Sequence, residues 1–232
     1  MEFKRALERA AQHGPVRSEE VITLNEYVDR VAGHPTIAAS AHRRVYDMVM
    51  AAGSQEGLHA GETSYNFFSG GLFGLDVPLG RVVRYFETAA QGHETRRRIL
   101  LLWGPPGGAK SSIAALLKRG LEAWSETDEG AVYALQGCPM HEEPLHLIPV
   151  ELRSQASDYT GVVVEGQLCP VCQWRLDREL GGDFLNFPIE RVYLSEARRV
   201  GIGTFEPGDP KSMSTEQLTG GLDFKAIEVH GS

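Results

Sequence analysis

The stretch Gly104-Pro105-Pro106-Gly107-Gly108-Ala109-Lys110-Ser111 constrains this chain more than any other. It follows a continuous apolar run, "RILLLW" (98–103). It precedes Ile113, Leu116, Leu117, Leu121 and Trp124, which recur on one face of a helix. A glycine-rich turn between a strand and a helix fits the frame GxxxxGK[ST], in which backbone N–H groups and the helix N-terminus surround phosphates. The frame assigns Lys110 to the β- and γ-phosphates, Ser111 to magnesium and Ser112 to a neighbouring hydroxyl role. Pro105, Pro106, Gly107 and Gly108 complete the loop. Ala109 is the one departure from the frame. Its methyl is tolerable in a right-handed helical conformation and costly at a positive φ. The rival reading is a structural glycine turn without nucleotide.

The next apolar segment, "AVYAL" (131–135), completes a strand–loop–helix–strand order, which predicts a parallel sheet covered by helices. Upstream, Thr23 and Glu26 form a capping box before Leu24, Tyr27, Val28 and Val31. Gly33 to Pro35 breaks that helix, and Thr36 is read as the cap of a second one that ends at Gly53. Residues 54–75 read as a loop over Tyr65, Phe67 and Phe68, and "VPLGRVVRYFETAAQG" reads as a helix ending at Gly92. An apolar fraction of 42% suits a chain that buries a core. The net charge of −8, with no basic block, argues against a nucleic-acid partner. No apolar run reaches membrane-span length, no signal sequence is evident, and 3 cysteines do not form a disulfide framework. A cytoplasmic protein is the expectation.

Magnesium-dependent phosphate chemistry also calls for an acid at the end of a later strand. "VVVEG" (162–166) and "RVYLSE" (191–196) are the nearest imitations, and each reads as an ordinary strand ending in a surface glutamate. Cys138 and His141 in "CPMH", with Cys169 and Cys172 in "CPVC" and 27 residues between the pairs, are four candidate ligands for tetrahedral zinc. The alternatives are unliganded thiols at turns, or a redox pair, which would need to open a helix in a thioredoxin-like unit. In "HEEPLH", His141, Glu142, Glu143 and His146 lack the spacing of a helical HExxH site, and both glutamates read as surface acids.

The stretches "AHRRVYDMV", "LFGLDVPLGRVVRYFETAAQG", "RRILLLWGPPGGAKSS", "CPMHEEPLHLIP", "LCPVC" and "GIGTFEPGDPKS" together resemble the N-terminal AAA+ portion of the PrkA serine protein kinases. The resemblance implies an α/β P-loop NTPase fold of AAA+ type, with a parallel sheet flanked by helices. The chain is expected to divide into a small helical region at 1–60 and a truncated nucleotide-binding domain at 61–232, with the candidate zinc-clipped insertion at 136–180. The resemblance further implies ATP and magnesium as cofactors, protein substrates, ring-like homo-oligomers, and base contact from Phe73, Gly74 and Leu75. The family's later acidic strand, arginine finger and kinase-like region would follow Ser232, leaving the domain incomplete. Two other readings stand beside the kinase module. One is an ATP-dependent protease or unfoldase component; the other is a zinc-clipped interaction module with a vestigial loop. Finally, "GTFEPGDPKS" (203–212) reads as a solvated turn around Pro207, Gly208, Asp209, Pro210 and Lys211. Ser214 with Gln217 reads as a short helix cap.

Overall fold

A computed structural model of the protein describes residues 20–57 and 61–205, together with Lys225 and Glu228. The turn expected around Pro207 to Lys211 and the Ser214 cap lie outside the described residues. Strand β1 (Val21–Ile22) leads into helix α1 (Leu24–Gly33) through Thr23. The capping box is present: Glu26 N–H donates to Thr23 Oγ1 at 3.4 Å and Thr23 N–H donates to Glu26 Oε2 at 2.8 Å. Such a cap contributes about 1 kcal/mol by satisfying orphan amides.

Pro35–Ala38 forms a single 3-10 turn, and helix α2 (Ala41–Ala51) is capped by Ser40, which accepts from Arg43 N–H at 3.3 Å. The cap is therefore four residues later than Thr36. Proline at the first position of the turn and three-residue hydrogen bonding consume Thr36 inside it. The segment expected to be a loop holds a small antiparallel hairpin, β2 (Ser54–Glu56) with β3 (Thr63–Tyr65), followed by a 3-10 turn at Asn66–Phe68 that buries Phe68.

Helix α3 (Asp76–Ala90) ends as expected before Gly92, and helix α4 (Lys110–Ser125) follows the glycine-rich loop. Strand β4 (Val132–Leu135), helices α5 (Arg153–Thr160) and α6 (Pro170–Arg178) and strand β5 (Ile189–Val192) complete the described elements.

The sheet departs from the expected parallel architecture. Its order is β1-β5-β4 and both pairings are antiparallel, with Val132 opposite Val192, Leu135 opposite Ile189 and Val21 opposite Glu190. "RILLLW" forms no strand among the described residues. Ile99, Leu101 and Trp103 are 93, 79 and 92% exposed, while Leu100 and Leu102 between them are half-buried. This period of two is that of extended chain, with one face packed on the helices and the other on solvent.

Two apolar cores organise the molecule. In the first, Leu24, Tyr27 and Val31 of α1 meet Tyr133, Leu135, Ile189, Phe187, Leu145 and Cys172. In the second, Val45, Met48 and Val49 of α2 meet Leu79 and Val83 of α3 and Ile113 of α4. Helices from the first sixty residues thus contribute to both. Arg44 joins the cores, donating to Ala131 O at 2.9 Å, to Ala39 O at 3.1 Å and to Ile37 O. The C-terminal half of α4 is bonded to the chain after β5. Ser125 Oγ accepts from Leu194 N–H at 3.0 Å, Glu122 Oε1 accepts from Glu196 N–H at 2.8 Å, and Lys118 pairs with Glu196.

Candidate functional site

The loop from Gly104 to Ser112 turns the chain from the extended 99–103 segment into α4. Gly107 takes φ +77° and Gly108 N–H donates to Pro105 O at 3.2 Å, tightening the turn. Ala109, immediately before the helix, adopts the left-handed conformation (φ 57°, ψ 10°), the case in which its methyl is costly. Ile113 N–H is the amide that closes the first helical turn, onto Ala109 O at 2.9 Å. The amides of Lys110, Ser111 and Ser112 therefore have no partner within the helix and sit at the positive end of its dipole.

Lys110 Nζ folds back over the loop, donating to Gly104 O at 2.8 Å and Pro105 O at 2.6 Å. Ser111 and Ser112 are exposed beside it. One cation, the helix-head amides and two exposed hydroxyls lie on the same turn, a donor set of the kind that holds a phosphate tail with its metal. Phe73 is exposed, Gly74 has φ +68°, and Leu75 packs on the second core.

Neither imitation acid is a strand-end acid at this loop. Glu165 lies outside any strand and pairs with Arg96 at 3.5 Å. Glu196 is held by Lys118 and Thr204, and the Lys118 hydrogen bond lowers its carboxyl below the usual range.

A second constellation lies at the end of β4. Cys138, Glu142, Cys169 and Cys172 place one ligand atom each within 4.8 Å of one another. His141, expected as the fourth ligand, is exposed and outside this group; its backbone, at φ 48°, turns the chain so that the next residue faces inward. Glu142 is consequently buried, and Glu143 accepts from Tyr27 Oη at 2.6 Å in the first core. The two glutamates are interior groups, not surface acids.

The apolar "PLHLIP" that follows them was the available signal, because Leu145, Leu147 and Ile148 draw the whole segment into the core. Cys169 caps α6, so "CPVC" does open a helix, with Pro170 at its first turn and Cys172 N–H donating to Cys169 Sγ at 3.4 Å. No thioredoxin-like arrangement surrounds it among the described residues. Burial pushes both the Cys169 and Cys172 thiols up, opposite to the depressed value of a reactive redox pair.

Residues 22–232 match the family described as the PrkA AAA domain, and the chain belongs to that family. It is 46% identical over 211 residues to the ATP-dependent protease PrkA of Bacillus subtilis (strain 168), covering 90% of this chain and 33% of that protein. It is 28% identical over 164 residues to the serine/threonine kinase YeaG of Escherichia coli (strain K12), covering 68% of this chain and 24% of that one. The chain thus spans a third or less of the length of these curated relatives. No solved structure matches it significantly. The α/β content accords with an AAA domain, and no helix of the described residues is long and apolar enough to cross a membrane.

Proposed function

We propose that this chain is the ATP-binding module of a PrkA-type serine protein kinase, in which a nucleotide held at Gly104 to Ser112 is coupled to phosphorylation of protein substrates. The observation that carries the reading is the loop itself. Amides without a helical partner stand at the head of a sixteen-residue helix, and the ammonium of Lys110 already lies over the turn on the carbonyls of Gly104 and Pro105. Lys110 supplies charge to the phosphate tail and Ser111 a hydroxyl to magnesium. Ser112 stands next to it, and Phe73, Gly74 and Leu75 approach the base. Magnesium would polarise the terminal phosphate. A ring of like chains is the assembly this reading expects.

Titration with a fluorescent ATP analogue and magnesium tests it. Lys110→Ala is expected to abolish binding while circular dichroism stays unchanged, and an unaltered affinity would remove the assignment. An ATP-dependent protease is the second reading, favoured by the name of the relative at 46% identity. Mass spectrometry of casein incubated with the full-length protein and ATP separates the two, since a phosphorylated chain and a cleaved chain differ in mass directly.

A further inference from the structure

We propose that Cys138, Cys169, Cys172 and Glu142 are the four ligands of one zinc ion that fastens the turn after β4 to the first turn of α6. This inference does not depend on the nucleotide reading. Cys138 Sγ and Cys169 Sγ stand 3.8 Å apart. Two thiolates about 2.3 Å from a tetrahedral centre are about 3.8 Å from each other, whereas disulfide sulfurs are about 2.05 Å apart. Three soft sulfurs and one oxygen select zinc over magnesium or calcium, and four donors fill a closed structural site.

Each arm of the site is built by its own backbone. Cys138 N–H donates to Leu135 O at 3.0 Å and His141 N–H donates to Cys138 O at 3.1 Å, which coils the first arm into a tight knuckle. The second arm is the helix start that Cys169 caps.

Glu142 is aimed rather than merely enclosed. Cys169 N–H donates to both of its oxygens, at 2.9 and 3.0 Å, tying the carboxylate of one arm to the backbone of the other. His146 Nδ1 lies 3.2 Å from Glu142 Oε1. With the proton of His146 on Nδ1, Oε1 accepts two hydrogen bonds and Oε2 one, which leaves Oε2 a lone pair for a metal. The imidazole is seated by Gly166 (φ +104°), where a Cβ would come within 2.6 Å of His146 Nε2. A ligating carboxylate oriented by a hydrogen-bonded histidine is an outer-shell arrangement that fixes ligand geometry. On binding, each thiol loses its proton to solvent and ligates as thiolate.

The test uses the full chain purified without chelator. Elemental analysis is expected to find one zinc per chain. Cobalt(II) added to the stripped protein is expected to give thiolate-to-cobalt charge-transfer absorption with tetrahedral d–d bands. His141→Ala is expected to leave cobalt affinity unchanged, and Glu142→Gln to weaken it by at least about tenfold. These two variants keep all three thiols, so they decide the ligand set even if cysteine variants fail to fold. Metal-free protein whose three thiols react with a disulfide reagent at the same rate with and without added zinc overturns the site. Loss of affinity in His141→Ala with Glu142→Gln unaffected overturns the carboxylate as ligand.

Discussion

Ala109 holds a left-handed conformation that costs a non-glycine residue about 1–2 kcal/mol. Ala109→Gly removes that strain and adds about 0.4–1 kcal/mol of unfolded-state freedom, so a net stabilisation of up to about 1.6 kcal/mol is expected in urea denaturation. Loss of stability would mean that the methyl makes a compensating contact. The sequence frame located this residue and named the two backbone cases; which one applies is set by the loop's closure onto Pro105, which no local pattern encodes. Glu143 shows the same limit from the other side, since burial among residues distant in sequence raises its carboxyl above the usual 4.5. The folded state therefore holds the proton more tightly than the unfolded chain. Stability falls as pH rises from about 4.5 through the folded value, and the cost is fully present above it. Glu143→Gln retains an oxygen to accept from Tyr27 Oη and Leu145 N–H while removing the buried charge. Its denaturation midpoint is expected to exceed the parent's at pH 8 and to converge with it towards pH 4. A lower midpoint at pH 8 would show that attraction to Arg44 outweighs burial.

Among the elements, α1 was legible because cap, stripe and terminating glycine agreed, α3 because its stripe ran to Gly92, and α4 because its stripe followed the glycine-rich loop. The α2 cap was displaced from Thr36 to Ser40 because two hydroxyl residues compete there, and proline placement decides between them through the turn it starts. "RILLLW" misled because an apolar run states a preference for burial and leaves open whether a neighbour supplies the ladder. The antiparallel pairing of β4 with β5 joins residues more than fifty positions apart and left no trace in local spacing. Termination of α4 yields a sharper expectation. A Cβ at Gly130 would come within 1.9 Å of Trp124 O and 2.6 Å of Trp124 Cδ1, and a backbone carbonyl at a helix end cannot move aside as a side-chain tip can. Gly130→Ala is expected to destabilise the protein by about 3 kcal/mol, read from its urea midpoint at an unchanged m-value.

At the scale of the whole molecule, the cysteine spacing revealed that two distant knuckles meet, while the identity of the fourth donor depended on a backbone reversal at His141. The glycine frame located the loop for which we propose an anion, while neither Glu165 nor Glu196 is a strand-end acid at that loop. From the glycine-rich loop runs α4, about 24 Å of continuous hydrogen-bonded rod. Its leading end carries Lys110, and its trailing half is bonded through Glu122 and Ser125 to the segment leaving β5. A rod of that kind bends little over four turns. Any tilt imposed at the loop must therefore be delivered to the far end, moving the exit from the sheet as a lever moves its load.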